Sequence, residues 1–335
     1  MTSSNQSDRT PSLILFFMLL VVAFLSRFYG IWLWDLVGDE NFTATLAHER
    51  YRSFINPANY ALVVAFYDLF GQEYWISRLP ALILSIISVP VLYFTWSKVI
   101  GRNAAVFAAI ILIFSAWHLW YSQFARHYAG VLLFSSVAYY YFFRALISDR
   151  VSHLTWALVF SLVGVLFHMT AVWVPASSAA AYLAIFIINR GNEHYSPRII
   201  KIYLVVCAVA AISISPFLYN VLDGWVGQGE SWGYGAVLIV PQLVKYIQIP
   251  IVISAMFGWF LIIKKEPVAA TFFAFTIGVP ILFLVAATPF MAISPAYAFY
   301  ILPLVIILAG IACEEVRKSL AGLSNVFSLF PAALL

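Results

Sequence analysis

Two adjacent carboxylates, Asp39 and Glu40, stand in "WLWDLVGDENFTATLAHERYR" (32–52), directly after the first long apolar run of the chain. A carboxylate at the outer face of a membrane can take the proton of a hydroxyl as that hydroxyl attacks an electrophile. The same spacing also suits a plainer part, in which Asp39 caps a helix that begins at Glu40. A second charged group lies in "WHLWYSQFARHYAG" (117–130), at a turn between two apolar runs. Arg126 stands where the next run begins. An ionised side chain at membrane depth is costly and points to function, and the planar fork of arginine matches phosphate oxygens. Gln123, three residues earlier, shares its helix face. The other reading is an arginine snorkelling to the interface beside the Trp and Tyr of an aromatic belt.

His168, in "LVGVLFHMTAVWVP", closes another apolar run before a tight return. It is either a satisfied interfacial residue or a group that orients an acid or contacts a phosphate. Trp225, Trp232 and Tyr234 lie in the Gly-rich stretch "NVLDGWVGQGESWGYGAVLIV". Their flat faces suit sugar rings, and they suit interfacial anchoring equally well. Asp39, Glu40, His48 and His168 supply metal-ligand types, but no spacing such as HExxH ties them together, so no metal site is assigned and a divalent ion is left open. There is no G-x-x-x-x-G-K-[ST], no G-x-G-x-x-G and no Ser/His/Asp arrangement, so a cytosolic nucleotide is not indicated.

These residues must be positioned by helices in a bilayer. Of the 335 residues, 64% are hydrophobic and 10% charged; globular chains run near 45–50% and 25%. The mean hydropathy is +0.94. The apolar residues come in blocks long enough to span, which predicts an all-α polytopic membrane protein. Ten spans are expected, near 12–33, 77–97, 104–121, 128–146, 153–169, 171–188, 201–219, 241–263, 267–287 and 297–313. Residues 1–11 read as a disordered cytosolic N-terminus, 12–318 as a single transmembrane domain and 319–335 as a tail. The first run carries no small-residue cleavage site and reads as a retained span.

With a cytosolic N-terminus, twelve of the eighteen basic residues fall on short inner segments, as the positive-inside rule requires. The outer segments are longer: 34–76, which holds the carboxylates and a short amphipathic helix in "NYALVVAFYDLFG", and 220–240. Chemistry is therefore expected outside. The net charge of +4 is spread along the loops without a cluster to track a nucleic-acid backbone. Cys207 and Cys313 both fall towards the inner side, so no disulfide is expected.

Four stretches, in order, resemble the membrane glycosyltransferases of the GT-C class. "RFYGIWLWDLVGDENFTATLA" is similar to a first outer loop in which an Asp-Glu pair follows the first span. "NPANYALVVAFYDLFGQEYWISRLPALILSIISVPVLYF" is similar to "HPPLYY…FG…RLPS", "YSQFARHYAG" to "SQxARxYA", and "LFHMTAVWV" to a His-containing span end. The nearest group is glycosyltransferase family 39, the protein O-mannosyltransferase branch, together with the lipid A aminoarabinose transferases. The likeness runs from Arg27 to Tyr182, and more loosely over the tail around "YAFYILPLVIILAG".

It implies a GT-C-like fold and an inverting transfer from a polyprenyl-phosphate sugar to a glycan, lipid or protein hydroxyl. The site would face the outside of a bacterial plasma membrane. Asp39 would be the catalytic base and Glu40 its supporting neighbour, with Arg126 on the donor phosphate and Gln123, Arg78, Tyr128 and His168 around it. The chain departs from the family pattern at Asn56-Pro57-Ala58, where the family has His-Pro-Pro, and at Ala296-Tyr297, where it has Arg-Tyr.

Two other functions compete. A transporter or flippase of lipid-linked saccharides would place ionisable or broken elements at mid-membrane in repeated halves, and no internal repeat is visible. A non-catalytic assembly subunit would need none of the carboxylates, and Ala296 in place of an arginine is the feature that favours it.

Overall fold

A computed structural model describes residues 13–50, 56–188, 195–223, 235–290 and 293–329. Fourteen α-helices order the described chain, with no strand among the described residues. Helix α1 (Leu13–Phe28) ends before Gly30, whose φ of 84° is a left-handed conformation that glycine adopts without a Cβ clash. Helices α2 (Asp39–His48) and α3 (Pro57–Phe70) fill the segment 34–76, and α3 is the short amphipathic helix expected there. A 3₁₀ turn over Tyr74–Arg78 leads into α4 (Leu79–Ile100), followed by α5 (Arg102–Phe114), α6 (Ala116–Ser122), α7 (Tyr128–Ser148) and α8 (Val151–Phe167). A second 3₁₀ turn, Met169–Val172, opens α9 (Trp173–Ile188). Then come α10 (Pro197–Asp223), α11 (Ala236–Ile247), α12 (Ile249–Ile263) and α13 (Pro267–Ala287). A third 3₁₀ turn, Pro295–Ile301, opens α14 (Leu302–Leu329).

Five of these segments are long and apolar enough to cross a bilayer: Tyr74–Ile100, Tyr128–Ser148, Met169–Ile188, Pro267–Ala287 and Pro295–Ala321. They fall on five of the ten expected spans. Two other expected spans, 104–121 and 241–263, are each a pair of helices, bent by 58° between α5 and α6 and by 94° between α11 and α12. Helices α1 and α8 are shorter apolar helices, and α10 occupies the expected span near 201–219. The chain is an integral membrane protein with an all-α fold.

Helices α7 and α14 form the middle of the bundle. Helix α7 packs on α4 and α8, and α14 on α5 and α12. Close approach depends on two glycines: a Cβ on Gly258 would overlap the Leu308 carbonyl, and one on Gly310 the Ala104 carbonyl. Small residues let backbones meet in this way where no water drives helices together. The outward faces of α1 and α12 carry exposed apolar side chains such as Phe17, Val21, Leu25, Ile253 and Met256, as a lipid-facing surface does.

The breaks are stitched to one another. At the end of α5 the Leu112 and Ile113 carbonyls, which a helix end leaves without amide donors, each accept from Nη2 of the buried Arg27 at 3.2 Å. That nitrogen also donates to His118 Nδ1 at 2.8 Å. Gln248, at the other break, has φ 79° and accepts at its side-chain oxygen from the Ala116 amide, 3.2 Å, where α6 begins. Trp117 stacks on Tyr246 at 5.4 Å across the same junction. Helix α6 is thereby held in place, and it leads directly to Arg126. Cys207 and Cys313 are both free.

Candidate active site

Gly38, with φ 52°, turns the chain into α2, so Gly38 rather than Asp39 is the N-cap and Asp39 is the first helical residue. Of the two parts open to Asp39 in the sequence, it does not take the capping one. Both acids sit in the first turn, where the positive end of the helix dipole favours negative charge.

Glu40 is fully buried. Its Oε1 accepts from Arg78 Nε at 2.9 Å and from the Ala125 amide at 2.8 Å. Its Oε2 accepts from Arg78 Nη2 at 2.9 Å and from the Val37 amide at 3.2 Å. The remaining Arg78 donors reach the carbonyls of Ile31 and Trp34 at 2.9 Å and of Asp35 at 3.0 Å. All five guanidinium N–H groups are thus engaged, and Arg78 has none to offer a phosphate. The pair instead ties the loop after α1, the first turn of α2 and the turn before α7 into one unit.

Asp39, one residue earlier, is different. Its carboxylate is 61% exposed and its Oδ2 accepts from Arg126 Nη2 at 3.1 Å; the Arg126 side chain is 17% exposed. A half-open acid and a largely enclosed guanidinium therefore face each other, with the guanidinium Nε holding no acceptor among the described residues. Gln123 does not share in this. Both of its amide hydrogens go to backbone carbonyls, Arg27 at 2.6 Å and Tyr29 at 2.8 Å, which clamps the end of α1 to the turn that carries Arg126.

Tyr128 and His168 do come close. Tyr128 is buried, stacks on Tyr121 at 3.9 Å and lies within electrostatic reach of Arg126 and Asp39. His168 stacks on His127 at 3.8 Å with the rings 10° apart. Burial and the adjacent Arg126 pull His168 down to about 3, and burial, His168 and Arg126 hold His127 well below the ordinary histidine value. Both imidazoles are therefore neutral. Tyr60 of α3 is in reach of the same two charges, and its hydroxyl is pushed up chiefly by burial.

Trp225, Trp232 and Tyr234 lie outside the described residues. Among the described residues no three metal-ligand side chains gather; Glu40 is engaged by Arg78, and His48 is exposed at the end of α2. The donor set does not suit a metal, and no step is routed through one.

Four residues at this site were missed from sequence: His127, Asn59, Tyr60 and Tyr297. Tyr297 is in reach of both Asp39 and Arg126. Its signal was the departure at Ala296-Tyr297, and that of Asn59 was the asparagine-rich start of α3.

The fold is shared with solved structures. ArnT from Cupriavidus metallidurans in the apo state superposes with a TM-score of 0.67 over 93% of this chain and 62% of that one, at 17% identity. The chain shares that fold. The same ArnT bound to undecaprenyl phosphate gives 0.62 at 16% identity, over 93% of this chain and 63% of that one. The Archaeoglobus fulgidus oligosaccharyltransferase AglB, in complex with an inhibitory peptide and a dolichol-phosphate, gives 0.58 at 12% identity, over 92% and 51%. The chain thus spans less than two thirds of the length of those structures. Residues 56–220 match the family model described as dolichyl-phosphate-mannose-protein mannosyltransferase. No curated protein is a significant sequence match.

Proposed function

We propose that this chain moves a sugar from a polyprenyl-phosphate donor to an acceptor hydroxyl at the outer face of a bacterial plasma membrane, with inversion at the anomeric carbon. The observation that carries this reading is the Asp39–Arg126 pair, a base and a phosphate ligand 3.1 Å apart on a rigid support. In the resting site each neutralises the other. An arriving phosphate gives the guanidinium another anion and frees the carboxylate for the acceptor.

The hydroxyl oxygen then bonds to the anomeric carbon on the face opposite the phosphate, and its proton passes to Asp39. The carbon–oxygen bond to the phosphate breaks, and its electron pair leaves with polyprenyl phosphate. Arg126 meets the charge that grows on the leaving oxygen, a contact worth roughly 3–4 kcal/mol in a preorganised site. Tyr128 and His168 border the phosphate position. We assign Arg78 and Gln123 to support, because their donors are already engaged.

The lipid tail has a matching place. An apolar cavity of about 340 Å³ lies between α11, α12, α13 and α14, lined by Leu243, Met256, Trp259, Ile277, Ile301 and Val305. Ile301 belongs to the same 3₁₀ turn as Tyr297, which joins the cavity wall to the element that reaches the charged pair. The undecaprenyl phosphate and dolichol-phosphate of the structural neighbours support a polyprenyl carrier. The matched family model favours a mannosyl group among hexoses and pentoses. Sidedness rests on the Lys/Arg-rich short segments at the opposite face.

The test is Asp39→Asn. Membranes supplied with labelled mannosyl, glucosyl, galactosyl and arabinosyl polyprenyl phosphates should lose consumption of the preferred donor by about 10²–10⁴-fold, with the protein still folded. Transfer at the wild-type rate overturns the assignment.

A further inference from the structure

Two neutral donors on the elements that carry this site are buried without an acceptor among the described residues: the amide nitrogen of Asn59, next to Tyr60 in α3, and Nε2 of His127, next to Arg126. The two residues are 3% and 1% exposed. A buried donor left unmade is costly, so it marks a place where a ligand can supply the acceptor.

The surrounding structure builds this arrangement. Asn56 is the N-cap of α3, yet its side chain makes no capping bond. Its Nδ2 reaches Nδ1 of His127 at 3.4 Å instead. A side-chain NH₂ only donates, so Nδ1 accepts and the His127 proton sits on Nε2. Asn59 follows three residues later on the same face of α3. The second ring of the stack is fixed in the same way: the Thr170 amide donates to His168 Nδ1 at 3.3 Å. The His127 ring is thus held by Asn56 at its edge and by His168 on its face.

We propose that Asn59 and His127 read the sugar of the lipid-linked donor, giving their N–H groups to its hydroxyl oxygens while Arg126 holds the phosphate. This rests on the glycosyl-transfer reading and adds a specificity element to it. Charge distinguishes the two ligand parts. A phosphate calls for charged donors, and Arg126 is the cation here, whereas Asn59 is neutral by nature and His127 is neutral by burial and by its cationic neighbour. Neutral donors on rigid supports suit hydroxyl groups. They also penalise an epimer that leaves them unmade, since a site built to bond a hydroxyl rejects a ligand lacking it.

The experiment measures binding of the full chain in lipid nanodiscs. The probes are bare polyprenyl phosphate and its mannosyl, glucosyl, galactosyl and arabinosyl forms. Wild type, Asn59→Leu and His127→Phe are compared; the phenyl ring keeps the stack on His168, and Asn59→Leu carries the test alone if His127→Phe does not fold. Wild type should prefer one sugar by about tenfold or more. Each variant should lose most of that preference while binding bare polyprenyl phosphate within twofold of wild type. The proposal is overturned if the preference survives, if bare lipid weakens equally, or if wild type shows no preference. Failure of wild type to bind bare polyprenyl phosphate would instead remove the transfer reading itself.

Discussion

Asp39 and Glu40 are neighbours in the chain, and each meets an arginine, yet the two pairs are opposites. Glu40 and Arg78 are sealed from solvent, and every acceptor site and donor between them is engaged. Asp39 is mostly exposed, and Arg126 keeps an unengaged Nε. A fully bonded pair cannot change partners without leaving charge buried, which is expensive. A half-open pair can. The difference teaches that two adjacent acids can divide into a sealed anchor and an acid open to solvent, and that burial decides which has which part.

The largest effect that would break this comparison is on folding. Glu40→Gln keeps shape but leaves the Arg78 guanidinium buried without its counter-charge, and should cost about 3–5 kcal/mol. Asp39→Asn removes a carboxylate that is mostly in solvent and should cost about 1 kcal/mol. Thermal unfolding of the purified variants in detergent gives both numbers. Equal losses would mean that the two acids are not divided into anchor and reactive group.

The sequence carried this site unevenly. Asp39, Arg126, Tyr128 and His168 were legible because residue type and order survive in a single chain, and the structure brings them together. The helical runs were legible from their apolar blocks. Arg78 and Gln123 are expected from sequence beside a donor phosphate and have their donors engaged by the protein instead, because an arginine or glutamine near a site looks alike in sequence whether its donors are free or engaged. Only the folding of the 31–40 loop over Arg78, and of the end of α1 against Gln123, decides it.

Asn56 read as a departure from a family histidine. Its use, holding His127, depends on a contact 71 positions along the chain. The break at Gln248 had a local signal in Pro250, since a proline near a helix start marks a new helix. The break at Ser115 has neither Gly nor Pro, and it is held by Arg27 from another helix.

A pH series sharpens the comparison at an intermediate scale. His127 and His168 have folded values below the ordinary unfolded value near 6.5, about 3 for His168. Above pH 6.5 both rings are neutral in either state, and their contribution to stability is complete. As pH falls below 6.5, the unfolded chain takes up protons that the fold refuses, and stability declines towards the folded value. Each histidine costs about 1.4 kcal/mol per pH unit in that window. Acid should therefore loosen the Arg126 side of the site, where the two stacked rings lie. Unfolding midpoints of wild type and His168→Phe between pH 7.5 and 5 check this: wild type should fall further. Parallel curves would show that the stacked pair carries no such linkage.

The smallest effect belongs to the shortest of these ion pairs. Arg50 Nη2 lies 2.6 Å from Asp68 Oδ1, closer than any Arg–carboxylate contact at the site, but the two side chains are 66% and 47% exposed. In water the attraction is screened and offset by the entropy of holding two long side chains, so exposed pairs contribute about 0–1 kcal/mol. Asp68→Ala should leave transfer activity unchanged and shift stability by no more than that. If it cost as much as Glu40→Gln, distance rather than burial would govern these pairs. The division between a sealed anchor and an open reactive acid would then lose its physical basis.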